Sequence, residues 1–248
     1  MVELKRKVAL ITGGNRGIGR AIACRLAADG MVIALTYAHQ RDAADATARD
    51  VLAAGAPSVH VFHADMADPQ AVSELPDKVV AECKSLDILI NNAGVARDGM
   101  FMTLPEADWR YVLEVNLFNA LRLTERALPH LAVSGGRVIT VSSLAGRVGK
   151  DGQVPYSTSK GGLIGMTRLI ARVCASKGVL ATAVAPGFIE TQMIERVPEK
   201  AIRSILRGTA DGRQGQPKEV ADVCAFLASS GASYINGAVL PIDGGFRV

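Results

Sequence analysis

The sequence predicts one α/β domain, built on a doubly wound parallel sheet of seven strands with helices on both faces. Short apolar runs of strand length alternate with helix-length segments along all 248 residues. Most of these runs are apolar throughout, which is typical of parallel strands that helices cover on both faces. Aromatic residues make up only 4% of the chain. A core of Ala, Val, Leu and Ile favours close packing of helices on a sheet over a large all-β sandwich.

The runs that we expect to form strands follow one another along the whole chain. They lie at residues 8–12, 31–37, 59–64, 86–90, 137–142, 179–185 and 238–242. Because adjacent parallel strands need a crossover connection, we expect a right-handed helical crossover between successive strands. Apolar residues make up 49% of the chain, and no linker rich in proline or glycine divides it. Residues 1–248 are therefore predicted to form a single globular domain.

Local signals predict where several of the connecting segments begin and end. The run Thr103-Leu104-Pro105-Glu106 has the pattern of a capping box with a proline in the first turn, and it predicts a helix start. A long helix is expected to begin near Tyr156 and to run to about Lys177. Residues 187–215 interrupt the alternation with polar and charged residues, and we expect them to form an insertion that covers the substrate.

Composition and charge exclude several classes of protein. Apolar runs such as residues 31–35 are far shorter than the roughly 20 residues of a membrane-spanning helix. Basic residues 5–7 precede an apolar run, but nothing like a cleavage site follows, so we expect a cytoplasmic protein. The net charge of +4 permits nucleic acid, yet the single basic triplet is better explained as a solvated face. Neither nucleic acid nor a membrane is expected as a partner.

The cysteines indicate neither disulfides nor a metal site. The chain has four of them, at Cys24, Cys83, Cys174 and Cys224, with no C-x-x-C pair. Each falls in a helix-like stretch, which favours buried, reduced thiols.

A glycine-rich loop follows the first predicted strand, with the sequence TGGNRGIG at residues 12–19 and a helical run at 20–29 after it. A strand, a glycine turn and a helix N-terminus form a phosphate cradle, in which Gly13 and Gly17 let the backbone approach a pyrophosphate. Gly19 permits close packing of the helix on the strand. The spacing is G-x-x-x-G-x-G and not G-x-G-x-x-G, and turn glycines are often structural, so nucleotide binding is a hypothesis at this point.

The end of the second predicted strand indicates which nucleotide binds. Sites for NAD place a carboxylate there, about 20 residues after the glycine loop, whereas here none stands before Asp42. Arg16 in the glycine loop and Arg41 after the strand are placed to pair with a 2′-phosphate, which favours NADP(H). The alternative is that Arg41 is a surface residue and that Asp42 caps the next helix.

Two residues of one predicted helix form a candidate proton-transfer pair. Tyr156 and Lys160 are four positions apart, so they lie on one helix face about one turn apart. A nearby ammonium stabilises a phenolate and lowers the pKa of the tyrosine, which suits proton transfer near neutral pH. Exposed helices carry such pairs by chance, so the pair alone is weak evidence.

Further polar residues are expected at the same edge of the sheet. Ser143 follows the fifth predicted strand, where its hydroxyl is placed to orient a substrate carbonyl. Residues 91–94, with the sequence NNAG, close the fourth strand. Asn116 lies in the long helical segment that follows, and its amide is expected to hold a water or to bend the helix. Serine and asparagine at such positions are otherwise turn formers or caps.

Taken together in chain order, these motifs resemble the short-chain dehydrogenase/reductase family over essentially the full length of the chain. They include the glycine loop, NNAG, Ser142-Ser143, Tyr156-x-x-x-Lys160 and PGFIET at residues 186–191. The resemblance implies a Rossmann-type fold and a catalytic tetrad of Asn116, Ser143, Tyr156 and Lys160.

The resemblance also implies a set of cofactor contacts. Asn92 and Gly94 would lie beside the adenosine, Ile189 and Thr191 near the nicotinamide amide, and Asp65 at the adenine, although an aspartate there equally suits a helix cap. The full set of residues expected to bind NADP(H) is Gly13, Asn15, Arg16, Gly17, Ile18, Gly19, Arg41, Asp65, Met66, Asn92, Ala93, Gly94, Tyr156, Lys160, Pro186, Gly187, Ile189 and Thr191.

Within that family the chain is most similar to the 3-oxoacyl-acyl-carrier-protein reductases, through Gly152-Gln153, the run at residues 185–191 and the ending Asp243-Gly244-Gly245. This similarity implies NADPH-dependent reduction of a 3-oxoacyl thioester in fatty acid biosynthesis by a homotetramer, with acyl carrier protein or coenzyme A as the carrier. The chain keeps a basic Lys177 for carrier docking but departs from the usual pattern at Ser134, Val173, Cys174 and Thr182.

Alternatives remain open for both function and assembly. One alternative function is that of an oxidoreductase of the same family that acts on another secondary alcohol or ketone. The other is that of a non-catalytic NADP-binding regulatory or scaffold protein. The segment at residues 163–175 carries apolar side chains and small glycines. These either pair with a second copy or pack on the chain's own sheet.

Overall fold

One parallel sheet of seven strands organises the chain, in the order β3-β2-β1-β4-β5-β6-β7. The computed structural model describes residues 4–191 and 199–246. Each predicted strand is present, and its ends lie within two residues of the prediction. The strands are β1 Val8–Ile11, β2 Val32–Tyr37, β3 Val59–His63, β4 Ile88–Asn91, β5 Arg137–Val141, β6 Leu180–Pro186 and β7 Val239–Ile242.

Helical segments connect every pair of successive strands, as the alternation of the sequence predicts. In the described part of the chain the α-helices are α1 Gly17–Ala28, α2 Arg41–Ala53, α3 Pro69–Cys83, α4 Glu106–Leu113, α5 Asn119–Ser134, α6 Leu144–Val148, α7 Val154–Val173, α8 Glu199–Leu206 and α9 Pro217–Ala228. A π-helical turn at Glu114–Phe118 joins α4 to α5.

The strand order reverses between β1 and β4. The chain first builds outward through β2 and β3, and it then adds β4 on the other side of β1. In a doubly wound sheet this reversal opens a crevice beyond the carboxyl ends of the two central strands, where ligands bind.

The sheet has an apolar core on each face. On one face α1 and α9 pack together, and Leu26 and Val220 join Ile11 of β1 in the core. On the other face α3, α5 and α7 cover the sheet, and Leu123 of α5 packs in the same core as Leu10 of β1. Successive side chains of a strand point to opposite faces, so a strand covered on both sides is apolar throughout.

The predicted capping box before α4 is wrong. The helix begins at Glu106, its N-cap is Pro105, and no side chain caps it. Thr103 lies two positions before that N-cap, in a turn closed by a hydrogen bond of 3.0 Å from its amide to the Met100 carbonyl. Pro105 adopts ψ 138°, and this extended residue separates the threonine from the helix amides.

The long helix predicted up to Lys177 begins earlier and ends earlier. α7 starts two residues before Tyr156 and ends at Val173, with Cys174 as its C-cap. A 3-10 turn at Ala175–Lys177 then carries the chain to Gly178, whose φ of 75° lies in the left-handed region that glycine tolerates.

The predicted insertion leaves the sheet after β6 and returns before α9. Its described parts are residues 187–191 and 199–215, which include α8, while residues 192–198 lie outside the described residues. Ile189 forms a parallel bridge with Gly215, so both ends of the insertion are held together. That it covers the substrate stays a prediction.

Within the described residues, no helix has the length and apolar character needed to cross a membrane. This part of the chain also contains no group of three or more His, Cys, Asp or Glu residues suited to hold a metal ion. The four cysteines are free, with Cys174 and Cys224 buried and the other two partly buried. Burial raises the pKa of Cys83 to about 11 and that of Cys224 to about 12.

Candidate active site

Loops from four adjacent strands meet at one edge of the sheet. Thr12 follows β1, Asn92 follows β4, Ser142 follows β5 and Gly187 follows β6. Because these strands are neighbours in the sheet, their carboxyl ends bring together the glycine loop, NNAG, the serine pair and the PGFIET run. The structure thus assembles the motifs that are far apart in the sequence.

The glycine loop has a shape that other residues would not allow. Gly13 and Gly17 have φ of 61° and 52°, in the left-handed region. A Cβ added to Gly19 would lie 2.3 Å from the Gly13 carbonyl oxygen, and one added to Gly14 would lie 2.7 Å from the Leu35 Cβ. α1 begins at Gly17, so its free N-terminal amides follow directly on this narrow loop.

Two threonines that the sequence did not single out hold the glycine loop in place. The Thr12 hydroxyl accepts the amides of Asn92 and Ala93, both at 3.0 Å. The Thr36 hydroxyl accepts the Gly13 amide, also at 3.0 Å. Both threonines are buried. Their only signal in the sequence is a polar residue at the end of an apolar strand, which many turns share.

Asn92 also braces the glycine loop. Its side-chain amide donates to the carbonyls of Thr12 and Gly13, at 2.8 and 3.2 Å. The expected cofactor residues Asn15 and Ile18 are held as well, since the Asn15 carbonyl accepts the Thr47 hydroxyl at 3.0 Å and Ile18 packs on the core. The glycine loop is therefore held by hydrogen bonds to β2, to α2 and to the loop after β4.

An open cleft of about 1120 Å³ lies between the glycine loop, the start of α2 and the start of α9. Arg16, Arg41 and Lys218 line it, together with Thr191. Arg16 is exposed and has no carboxylate partner among the described residues. The positive φ of the loop glycines and the absence of room for a Cβ at Gly19 fit a backbone that approaches a phosphate closely.

Arg41 is partly occupied by other groups. Its guanidinium pairs with Asp45 at 2.9 Å and lies 5.8 Å from the centre of the Tyr37 ring. The alternative for Asp42 is wrong, because the N-cap of α2 is Gln40 and Asp42 lies inside the first turn. Arg41 is thus an exposed surface residue that also lines the cleft. Its expected contact with a 2′-phosphate stays a prediction.

Asp65 and Met66 lie just beyond the carboxyl end of β3. The Asp65 carboxylate accepts the Ala67 amide at 2.8 Å, and the Met66 carbonyl accepts the Asn119 side-chain amide at 2.8 Å. Asp68, and not Asp65, caps α3. The capping alternative for Asp65 is therefore wrong, and its expected contact with adenine stays a prediction.

Asn116 sits in the π-helical turn and joins two parts of the site. Its carbonyl oxygen accepts the Val95 amide at 2.8 Å, and its amide nitrogen donates to the Val95 carbonyl at 2.8 Å and to the Ser159 hydroxyl at 3.1 Å. The π-helical turn is wider than an α-helical one, and the bend that we expected there stays a prediction. Ser159, buried on α7, is a partner that the sequence alone did not identify.

Ser143 and Tyr156 contact each other. Ser143 is the N-cap of α6, and its hydroxyl accepts the Ala145 amide at 3.1 Å. Its side chain also lies close enough to the Tyr156 phenol to influence the pKa of that phenol. Burial raises the pKa of Tyr156 above its ordinary value, the Ser143 hydroxyl opposes this shift, and the Asp98 carboxylate adds to it. The phenol is thus held in its protonated form.

Lys160 lies buried beneath this pair. Its ammonium donates to the Val141 carbonyl at 2.8 Å and lies 5.7 Å from the centre of the Tyr156 ring. Burial lowers the pKa of Lys160 to about 8. The lowering of the Tyr156 pKa that we expected from Lys160 is not observed: burial of the phenol raises the pKa, and Lys160 is not among the groups that shift it.

Gly94 closes the space above Asn116 and Lys160. A Cβ added to it would lie 3.3 Å from the Asn116 carbonyl oxygen and 3.4 Å from the Lys160 ammonium nitrogen. Asn116, Ser143, Tyr156 and Lys160 are therefore brought together at one site, as the resemblance implies.

The PGFIET run completes the edge. Pro186 is the last residue of β6, Ile189 is buried, and Gly187 packs against Asp243, where an added Cβ would lie 2.8 Å from the Asp243 Cα. A Cβ added to Gly17 would lie 3.6 Å from a methyl carbon of Thr191. The run therefore reaches from β6 to the glycine loop.

A second pair of contacts ties the loop after β4 to the start of α7. The Gln153 side chain donates to the Asp98 carboxylate at 2.8 Å, and the Gly99 amide donates to the Gly152 carbonyl at 2.9 Å. The sequence identified Gly152-Gln153 by resemblance alone and gave no signal for Asp98. These contacts place a carboxylate near the Tyr156 phenol.

Known proteins are similar to this chain over nearly its whole length. A family model described as enoyl-(acyl carrier protein) reductase matches residues 13–247. A 3-oxoacyl-acyl-carrier-protein reductase of Staphylococcus aureus is 38% identical over 240 residues, which cover 96% of this chain and 97% of the relative. A protein of the same name from Escherichia coli is 39% identical over 245 residues, which cover 98% of each chain.

Solved structures share the fold. A short-chain dehydrogenase from Burkholderia cenocepacia, crystallised in complex with NADP, superposes with a TM-score of 0.91 at 38% identity and covers 98% of both chains.

Proposed function

The chain belongs to the short-chain dehydrogenase/reductase family, and we propose that it reduces the keto group of a 3-oxoacyl thioester with NADPH. The contact between Ser143 and the Tyr156 phenol, one helical turn from the buried Lys160, carries the chemistry. A pair of hydroxyls is suited to bind a carbonyl oxygen and to give it a proton. The names of the relatives support the choice of a 3-oxoacyl substrate.

The cofactor-binding side of the site supports NADPH. The glycine loop would hold the pyrophosphate, and the guanidinium of Arg16, which pairs with no carboxylate of the described residues, would hold a 2′-phosphate at the mouth of the cleft. A structural neighbour was solved with NADP. When bound, NADPH supplies the hydride that the carbonyl carbon accepts.

Ser143 and Tyr156 have different roles at the carbonyl oxygen of the substrate. The Ser143 hydroxyl orients the oxygen, and Tyr156 donates the proton that neutralises the developing alkoxide. The raised pKa of Tyr156 keeps the phenol protonated at neutral pH, which is the form that an acid requires.

Lys160 and Asn116 support the acid. Lys160, with a pKa of about 8, is mostly charged at pH 7, and it would also hold the nicotinamide ribose. We propose that Asn116 fixes the loop at Val95 and the helix at Ser159, since its amide already bonds both. The water that we expected Asn116 to hold stays a prediction.

We also propose a homotetramer. Part of residues 163–175 packs on the chain's own sheet, where Leu163, Met166 and Ile170 are buried. Leu169 and Val173 are instead 59% and 58% exposed and are available to a second copy. A Cβ added to Gly165, on the same face as Leu169, would meet no atom within 4 Å. An apolar face with small residues suits close packing of a second copy.

Acyl carrier protein or coenzyme A is proposed as the carrier, in fatty acid biosynthesis and in the cytoplasm. The names of the relatives support the carrier and the pathway. The four free thiols are typical of a reducing compartment.

The rate of NADPH oxidation with 3-oxoacyl thioesters, measured beside simple ketones, tests the proposal. We expect the larger kcat/KM with the thioesters, and we expect Tyr156→Phe to lower kcat by about a hundredfold or more while NADPH still binds. A preference for simple ketones would assign the chain to another oxidoreductase of the family. NADPH binding without turnover on any carbonyl compound would indicate a regulatory or scaffold protein.

A further inference from the structure

We propose that the ion pair between Arg147 and Asp243 positions Ser143 relative to the loop at residues 187–191. Arg147 and Asp243 are then positioning residues, since neither is placed to touch the reacting atoms. The inference rests on the proposed function only because its kinetic test needs a carbonyl substrate.

One side of the pair begins at the catalytic serine. Ser143 caps α6, and Arg147 is the fourth residue of this short helix. Between them, Gly146 packs on the backbone of Lys160: an added Cβ would lie 2.6 Å from the Lys160 carbonyl carbon. α6 is thus fixed on one side by the lysine of the tetrad, and any shift of α6 moves Ser143.

The other side of the pair is a turn on which several segments converge. Asp243 follows β7, and its carboxylate accepts the amides of Gly245 and Phe246 at 3.1 and 3.4 Å. Gly187 packs on Asp243, and its amide donates to the Ile242 carbonyl at 2.9 Å. The turn therefore fixes the start of the PGFIET run.

The same turn also holds the end of the insertion. The amides of Ala210 and Asp211 donate to the carbonyls of Gly245 and Gly244, at 3.2 and 3.0 Å. Thr209 forms an antiparallel bridge with Phe246. Residues 208–211 follow α8 directly, so the turn joins β7 to the part of the chain that we expect to cover the substrate.

The ion pair is the side-chain link between these two halves. The Arg147 guanidinium lies 3.2 Å from the Asp243 carboxylate, and the two side chains are 33% and 11% exposed. A partly exposed ion pair contributes little to the free energy of unfolding, typically about 0–1 kcal/mol. A small displacement of a catalytic group costs far more in rate, up to about a hundredfold for 1 Å. Loss of the pair should therefore be seen in turnover before it is seen in stability.

The first test removes the charge on each side. We expect Arg147→Met and Asp243→Asn each to lower kcat by about tenfold while the KM for NADPH stays within about twofold. Asp243→Asn retains an oxygen for the amides of Gly245 and Phe246, so it guards against a folding defect. Lys78→Met, which removes a surface pair with Glu74 at 2.9 Å on α3, is the matched control and should leave kcat unchanged.

The second test asks whether the pair acts through the serine. In a Ser143→Ala background, Arg147→Met should lower kcat no further, because residues that act as one unit are not additive. Additive losses, or single variants whose kcat stays within twofold of the wild type, would overturn the proposal.

Hydrogen exchange separates this inference from the proposed function. In Arg147→Met, amides at residues 187–191 and 208–211 should exchange faster, and those of α3 should not change. Unchanged exchange at the first two segments counts against the pair even if no carbonyl substrate is found. A wild type that reduces no carbonyl compound refutes the proposed function, while faster exchange would still support the link between the segments.

Discussion

The Lys160 ammonium lies 5.7 Å from the centre of the Tyr156 ring and donates its hydrogen bond, at 2.8 Å, to the Val141 carbonyl. Burial acts on both groups in the same sense, since it raises the pKa of Tyr156 and lowers that of Lys160 to about 8. Each shift favours the neutral form. At pH 7 the site therefore holds a protonated phenol above a lysine that is still mostly charged.

The buried lysine should make stability depend on pH. The folded-state pKa of Lys160 is about 8, against an ordinary value of 10.5. Below about pH 8 Lys160 is charged, and folding buries that charge at a cost in the free energy of unfolding. This cost disappears as the pH rises from about 8 to 10.5. The free energy of unfolding of the wild type, relative to Lys160→Met, should therefore increase by about 3 kcal/mol between pH 7 and pH 10.5. Urea unfolding of both proteins without NADPH measures this difference.

A relative stability that is flat over this range would show that Lys160 keeps an ordinary pKa. Lys78→Met removes a partly exposed lysine and serves as the control, since no comparable rise is expected for it.

Asp98 should influence the pKa of Tyr156, the proposed general acid. Its carboxylate raises the pKa of Tyr156, so Asp98→Asn should lower that pKa. Reduction needs the protonated phenol, so the loss of kcat at high pH should begin at a lower pH in the variant than in the wild type. Asparagine retains an oxygen for the hydrogen bond from Gln153.

The matched control for this prediction is Asp151→Asn, an exposed aspartate near the start of α7 that does not shift the Tyr156 pKa. If both variants moved the pH profile equally, the effect would be one of overall charge, and the specific influence of Asp98 would be refuted.

The strands could be predicted because a strand that is buried on both faces is apolar at nearly every position, and such runs are visible in the sequence. Each ends within two residues of its expected position. The start of the helix near Thr103 could not be predicted, because a capping box and an open turn before a proline use the same residue types. Only the backbone conformation of Pro105 distinguishes the two. Local patterns therefore fail where a single torsion angle chooses the outcome.

The catalytic residues could be predicted from their order along the chain, whereas their supports could not. Thr12, Thr36 and Ser159 act through hydrogen bonds to residues that are between 23 and 81 positions away. Nothing in a local pattern reports such distant partners. The pKa of Tyr156 likewise depends first on how deeply the fold buries the phenol, which the spacing of Tyr156 and Lys160 does not report.

Cofactor choice should depend on Arg16 more than on Arg41. Arg16 has no carboxylate partner among the described residues, whereas Arg41 already pairs with Asp45 at 2.9 Å. Arg16→Ala should lower kcat/KM for NADPH by about a hundredfold and leave that for NADH nearly unchanged. Arg41→Ala, the matched control, should have a smaller effect. Steady-state kinetics with both cofactors give the answer, and a wild type that uses NADH equally well would contradict the assignment to NADPH.

Assembly should depend on the exposed face of α7. Leu169 and Val173 lie one turn apart on this face, at 59% and 58% exposure, and Tyr156 and Lys160 lie on the same helix. A charge placed there would be buried without a partner in a helix-paired interface, which is strongly unfavourable. We therefore expect Leu169→Glu to reduce the assembly size measured by light scattering and to lower kcat, because a helix that loses its partner braces the tetrad less firmly. Leu52→Glu, at 49% exposure on α2, makes the same change elsewhere and should alter neither. A wild type that is fully active as a monomer would refute both the interface and its coupling to the active site.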